Sequence, residues 1–284
     1  MSAKTGIQWT DATWNPVVGC TKVSQGCKHC YAKTVHDRRH KAFVEGKAIA
    51  PQYAHPFKTV QLKPERLRAP LSWRKPKRVF VNSVSDLFHE DVPDAFIFDV
   101  WSIMAQAERH TFQILTKRPA RMLQWFTEFL PEACSGESPA ETWPLPNVWL
   151  GVSVENQRFA DERIPVLLQT PAAVRFLSCE PLLGPVGLTG WMGQDEDPSL
   201  GDLHWVIIGG ESGKHARPFD IAWARTLVAQ CKEADVAAFV KQMGDSPYHE
   251  VDGQRYPVSF GRHGDDFEDF EEALRVREFP VVRS

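Results

Sequence analysis

Seven strand-sized apolar runs, separated by helix-length segments, constrain the fold of this chain more than any other feature. The runs are Thr13 to Val18, Arg78 to Asn82, Thr111 to Leu115, Val148 to Val152, Ala173 to Leu177, His204 to Ile208 and Ala237 to Lys241. Several are apolar on both faces, as strands covered by helices must be, and strands alternating with helices build a parallel α/β fold. Helices fit most of the gaps: Tyr31 to Val44, Asp94 to Arg109, Pro119 to Leu130, a segment near Asn156 to Leu168, and Phe219 to Ala234. Pro119 is tolerated there because a first helical turn does not need its missing N–H. Residues 181 to 203, rich in Gly and Pro, read as a loop replacing the next helix. The expected fold is therefore α/β, a partial or irregular (β/α) barrel of mostly parallel strands over residues 1–243, followed by an irregular C-terminal extension over 244–284.

Two insertions interrupt this pattern. Residues 46–77 carry Pro51, Pro56, Pro64, Pro70 and Pro76, too many for one long helix, and read as an extended excursion with one short helix near Glu65. Pro131 to Pro146, which contains Cys134, reads as a surface loop.

The active site of a parallel barrel lies at the C-terminal ends of its strands, and that is where this sequence turns polar. The ends read Gly19-Cys20, Asn82-Ser83-Val84-Ser85-Asp86, Thr116-Lys117-Arg118, Ser153-Val154-Glu155-Asn156, Ser178-Cys179-Glu180 and Gly209-Gly210-Glu211-Ser212. Six such ends in register are hard to attribute to turn chemistry alone. Each also has a plainer reading: Ser83, Ser85 and Asp86 as caps of the following turn, Gly209-Gly210 as suppliers of positive φ. Lys117, directly after an apolar run, can direct its ammonium to a ligand carboxylate. Glu180 and Glu211 can accept hydrogen bonds from a ligand or pair with Lys117 and Arg118, and structural ion pairing competes with the functional account.

Three of the six cysteines, Cys20, Cys27 and Cys30, fall within eleven residues. A loop with this spacing can present three thiolates to an iron-sulfur cluster and leave one iron of a cubane open to a small molecule. The spacing fits a zinc site as well, since Cys27 and Cys30 are separated as in a zinc knuckle and His29, His36 and His40 offer a fourth ligand. The other three cysteines are isolated, and isolated cysteines are more often small buried hydrophobes than ligands.

Composition narrows the class. With 284 residues and 43% hydrophobic content the chain can bury a full core. No run approaches the roughly 18 apolar residues of a membrane span, so a soluble cytoplasmic protein without a membrane partner is expected. The net charge of −3 conceals an asymmetry: residues 28–78 hold fourteen Lys and Arg against Asp37, Glu45 and Glu65, and the remainder is strongly acidic. A basic segment of this kind suggests a polyanionic partner such as nucleic acid. Solvated helix faces, or an acidic tail packed against the basic segment, account for the same charges.

The cysteine loop directly after a first strand, ending in Cys27-x-x-Cys30-Tyr31, resembles the radical S-adenosylmethionine enzymes, which have a partial α/β barrel. The whole chain more closely resembles an uncharacterised, often phage-encoded, three-Cys-motif family, through TWNPVVGC, SVSDLF, ILTKRP, GVSVEN, EPLLGP, GGESG and LRVREFP. The resemblance implies a 4Fe-4S cluster on Cys20, Cys27 and Cys30, S-adenosylmethionine at the open iron, an external electron donor, and an enzyme that generates a deoxyadenosyl radical. A more distant similarity, to spore photoproduct lyase, a radical enzyme that repairs a thymine dimer in DNA, implies a nucleic acid or nucleotide substrate. By that similarity Ser83 or Ser85 with Asp86, Lys117 and Ser153 hold S-adenosylmethionine; Asp86 and Lys117 then fix its amino acid end and Ser153, with Glu155, its ribose, and Tyr31 and Glu211 are further expected cofactor contacts. The six residues between Cys20 and Cys27 replace the three usual in radical enzymes. Cys179 stands as a hydrogen-atom donor to a substrate radical, or as a small residue filling space at a strand end.

Overall fold

The computed structural model describes residues 5–134, 144–192 and 202–281. Parts of the predicted loops, residues 135–143 and 193–201, lie outside the described residues. The chain divides into two compact units, Met1–Trp149 and Leu150–Ser284.

The first unit contains β1 (Ala12–Trp14), β2 (Val17–Val18), α1 (Tyr31–Val44), β3 (Gln61–Leu62), β4 (Arg78–Val81), α2 (Asp94–Gln106), β5 (Thr111–Thr116), α3 (Pro119–Gln124) and α4 (Leu130–Ala133). The second contains α5 (Gln157–Gln169), β7 (Val174–Cys179), β8 (Trp205–Gly209), β9 (Phe219–Asp220), α6 (Ile221–Glu233), β10 (Ala237–Gln242), β11 (Pro247–Val251) and β12 (Gln254–Pro257), while β6 (Val148–Ser153) runs across the division. The expected parallel α/β architecture is borne out: one seven-stranded sheet has the order β1-β4-β5-β6-β7-β8-β10, and all seven predicted strands supply it. β1 pairs parallel with β4 and β4 with β5. β8 pairs parallel with β7 and β10. Every residue of β6 and β8 is buried, which is why both read as unbroken apolar runs. Such an open parallel sheet fits a partial barrel.

Local chemistry corrects several boundaries. The first predicted strand, Thr13 to Val18, is split by Pro16, which has no N–H for a ladder; β2 instead pairs antiparallel with β3 in a sheet of its own. The predicted helix from Asp94 ends at Gln106 rather than Arg109. Between α3 and α4 a π-turn spans Trp125–Phe129. Pro131, whose ring would meet the Thr127 carbonyl in a regular helix, explains the widening. The predicted helix at Phe219 starts two residues late, because Phe219 and Asp220 pair with Pro247 and Tyr248 first. Asp220 then caps α6 by accepting from Ala222 N–H at 2.9 Å.

The excursion at 46–77 carries three single 3-10 turns, Pro51–Tyr53, Pro64–Arg66 and Ala69–Ser72, rather than one short helix. It folds back onto α1, where buried His36 meets Tyr53 and Phe57 edge-on at centroid distances of 5.0 and 5.3 Å. After β12 the chain makes single turns from which Phe270 and Leu274 enter the core.

Candidate functional site

The cysteine loop is pinned at both ends to the segment that follows β4. At its start, Gly19 N–H donates to the Val84 carbonyl at 3.3 Å and Cys20 N–H to that of Phe57 at 3.0 Å, and Gly19 bridges Ser85 as a parallel partner. At its end, Tyr31 follows Cys30 and donates its hydroxyl to the Ser83 carbonyl. Gly19 has φ +93°, and a Cβ there would lie 2.3 Å from the Thr59 carbonyl oxygen. No other residue lets the chain pass this point on its way to Cys20. Ser83 and Ser85 serve the same junction, Ser83 Oγ donating to Asn15 Oδ1 at 3.2 Å and Ser85 Oγ to the Val17 carbonyl at 2.8 Å. Asn82, at φ +59°, turns the chain out of β4 into this segment.

Asp86 lies beneath the loop and is 6% exposed. Its carboxylate accepts from Phe88 N–H at 3.0 Å, Thr116 Oγ1 at 2.8 Å, Lys117 N–H at 3.2 Å and Arg118 Nη1 at 3.2 Å. Sequence reasoning singles out Lys117, but Arg118 is the residue this geometry brings to the cysteine loop. Its Nη1 also donates to Cys20 Sγ at 3.7 Å, while Nη2 donates to the Thr21 carbonyl at 3.3 Å and to Thr21 Oγ1 at 2.8 Å. Burial works against the charge on Arg118, but Asp86 and Cys20 outweigh it and hold the guanidinium above its usual pKa.

Fully buried His89 completes the network. Its Nδ1 accepts from Asp91 N–H at 3.0 Å, which leaves the proton on Nε2 to donate to Thr21 Oγ1 at 2.8 Å. Burial, then the Arg118 charge, lowers the His89 pKa and keeps the ring neutral. Arg118 stands in the polar end Thr116-Lys117-Arg118 but carries no sequence signal that ties it to the cysteines, and His89 carries none beyond standing three residues from Asp86.

The donor set fits a cluster. Cys20, Cys27 and Cys30 are free and half-buried. Cys20, pushed up to about 11 chiefly by burial and then by Asp86, must surrender its proton on metal loading. Cys30 stands at the N-cap of α1. Among the described residues no three His, Cys, Asp or Glu groups converge as ligands of a single metal ion. Two of the histidines offered as a fourth zinc ligand each engage one ring nitrogen with a backbone carbonyl, His36 Nε2 with that of His55 at 2.9 Å and His40 Nδ1 with that of Tyr53 at 2.7 Å.

The strand ends of the second unit carry their own counter-ions. Ser153 is buried, and its carbonyl accepts from Arg163 Nη1 at 2.8 Å. Glu155, fully buried, pairs with the same nitrogen at 3.0 Å, and the Arg163 guanidinium lies 4.2 Å from the Phe159 ring centroid. Glu180 pairs with Lys241, and Glu211 takes Arg217 side-on, with Nε at 2.9 Å and Nη2 at 2.6 Å. Gly209 and Gly210 do not supply positive φ; a Cβ on Gly210 would lie 2.2 Å from the Met243 carbonyl oxygen, so close backbone approach is the reason for glycine. Cys179 is completely buried near Cys231 of α6, and burial raises its thiol pKa steeply. The space-filling role suits that position.

Within residues 28–78 several cations are used internally. Arg39 reaches Tyr53, Arg66 donates to the Asn15 carbonyl and to Gln52, and Arg78 pairs with Asp11. Lys28, Arg38, Lys41, Lys58, Arg68, Arg74 and Lys75 are exposed. In the acidic tail, Glu271 pairs with Arg225 of α6. Among the described residues no helix is long and apolar enough to cross a membrane.

No curated protein sequence matches the chain. Among solved structures it is similar to a spore photoproduct lyase variant with one cysteine replaced, at 10% identity and a TM-score of 0.46, over 97% of this chain and 75% of that one. A family model described as protein of unknown function DUF5131 matches residues 4–270, nearly the full length, and the protein belongs to that family.

Proposed function

We propose that the protein is an iron-sulfur enzyme of the radical S-adenosylmethionine class that acts on a nucleic acid or nucleotide. One observation carries the first half: three free thiols on a loop anchored at both ends to the end of β4, with a buried arginine-carboxylate pair beneath the first of them. When bound, a 4Fe-4S cluster with one open iron supplies the electron that cleaves the sulfonium of S-adenosylmethionine, and an external donor replaces it. Cys20, Cys27 and Cys30 ligate in this reading, and Lys117, whose N–H is tied to Asp86, takes the methionine carboxylate. Asp86 acts through Arg118 and not on the ligand, because its oxygens are engaged by four donors of the chain. Ser153 and Glu155 are both buried, and Glu155 pairs with Arg163. The exposed cations of residues 28–78 face the phosphates of the substrate.

Anaerobic reconstitution tests the proposal. Loaded protein should hold about four irons per chain and absorb broadly near ~400 nm, and on reduction with S-adenosylmethionine it should release 5'-deoxyadenosine. Single Cys20→Ala, Cys27→Ala and Cys30→Ala variants should lose iron, and Cys134→Ala, Cys179→Ala and Cys231→Ala should keep it. Stoichiometric zinc without iron, or equal iron loss from Cys134→Ala, overturns it.

A further inference from the structure

We propose that Arg118 is a positioning residue that sets the reduction potential of the cluster through its hydrogen bond to Cys20 Sγ, an inference that rests on the cluster reading above. Two arrangements suggest this role. First, the guanidinium donates to the sulfur from Nη1 at 3.7 Å and is only 10% exposed, so the contact is weakly screened. Second, it is fixed from both sides: Asp86 holds Nη1 and Thr21 holds Nη2 through its carbonyl and hydroxyl. The Thr21 hydroxyl is in turn set by His89 Nε2 at 2.8 Å, and His89 by Asp91 N–H at 3.0 Å. With Nη1 and Nη2 engaged by Asp86, Thr21 and Cys20, Arg118 serves the thiolate and leaves the ligand carboxylate to another cation.

The physical consequence has a definite sign. A cationic donor at a coordinating sulfur withdraws electron density from the cluster and favours the form with one more electron; hydrogen bonds to sulfur and net local charge are the levers that set such potentials. Asp86, itself the counter-ion of Arg118, limits the effect by returning negative charge to the same place. The clamp therefore holds the donor in line without leaving an uncompensated charge in the fold.

The test is a redox titration of the anaerobically reconstituted protein, followed by electron paramagnetic resonance, with iron counted on the same samples. Arg118→Gln removes the charge and should lower the midpoint potential by an amount equal to at least a tenfold change in the reduction equilibrium, about 59 mV for one electron. Arg118→Lys, which retains the charge, should restore at least half of that fall. An Arg118→Gln protein that holds its full iron and has the parent's potential overturns the proposal. So does an Arg118→Lys protein as low as Arg118→Gln, which would make the residue a merely structural part of the loop. If Arg118→Gln fails to load iron, Thr21→Val is read the same way: it removes only the hydroxyl that steers Nη2, a smaller fall is expected, and an unchanged potential is again decisive. A parent protein that takes up no iron at all defeats the cluster reading itself and is recognised before any potential is measured.

Discussion

Replacing Gly19 by alanine perturbs the cysteine loop at the residue that makes its geometry possible. Gly19 has φ +93°, and the added methyl would stand 2.3 Å from the Thr59 carbonyl oxygen and 2.9 Å from that of Phe57. Both obstacles are backbone. The Phe57 carbonyl also accepts from Cys20 N–H, so it cannot retreat without releasing the first cysteine. A left-handed backbone costs an L-residue about 1–2 kcal/mol and forced overpacking about 1–3 kcal/mol, which together give about 2–5 kcal/mol against a total stability of about 5–15 kcal/mol.

Gly46→Ala is the matched control. Gly46 has φ +78° in the same unit, but a Cβ there meets nothing within 4 Å, so this variant carries only the backbone term of about 1–2 kcal/mol. Urea unfolding of both variants at constant m isolates the steric part as a difference in midpoint. Gly19→Ala should unfold at a lower urea concentration than Gly46→Ala and should also lose most of its iron on reconstitution, because the clash moves Cys20, whereas Gly46→Ala should load iron like the parent. Equal midpoints with equal iron would refute the argument that close approach at Gly19 shapes the loop.

Glu155→Gln leaves the Arg163 charge uncompensated in a fully buried position and should cost about 3–5 kcal/mol in urea unfolding, and the double variant Glu155→Leu with Arg163→Met should recover most of it. Loss of S-adenosylmethionine binding from a Glu155→Gln protein of parental stability would point instead to a cofactor role. His110 and His204 both have lowered pKa values, chiefly from burial, so the unfolded chain takes up protons that the fold excludes. The stability they contribute is whole above the unfolded value of about 6.5 and is lost as pH falls through the lower folded values; a urea midpoint that rises between pH 7 and pH 5.5 would contradict this. Reversal of Lys58, Arg68, Arg74 and Lys75 to glutamate should abolish nucleic acid binding with iron content intact, and binding to the parent should weaken steeply with salt as condensed counterions are released. Salt-insensitive binding would remove the phosphate contacts from the proposal.

The seven strands are legible in the sequence because each is an apolar run whose burial does not depend on which neighbour covers it. Trp205 to Ile208 reads as a buried strand whatever packs on it, and β8 is buried throughout. What the sequence hides is decided by a partner distant along the chain or by too few residues to show a period. β2, β3 and β9 have two residues each, and Phe219 belongs to a strand only because Pro247 lies beside it. Likewise the 3-10 turns of the excursion are single turns around Pro51, Pro64 and Pro70, which announce a break in a helix but not what replaces it.

At the site, residue types are legible, but only half of their counter-ions are. A carboxylate at a buried strand end must find a cation or donors within the fold, because leaving it unpaired costs several kcal/mol. Two of the pairs lie close in sequence, Glu155 with Arg163 and Glu211 with Arg217, and separations of eight and six residues make them candidates from the sequence alone. The other two, Asp86 with Arg118 and Glu180 with Lys241, span 32 and 61 residues and exist only once the strands are ordered. Asp86, Glu155 and Glu211, expected from the sequence as cofactor contacts, are thus engaged by the chain itself. The cysteines behave differently. Cys20, Cys27 and Cys30 form no disulfide and remain half-buried, yet the loop that carries them is held by a glycine at positive φ, by Tyr31 and by the Arg118 clamp. A fold that fixes three thiols in this way without pairing them gains nothing in stability from the sulfur itself, which is the physical ground for reading the loop as a place for metal.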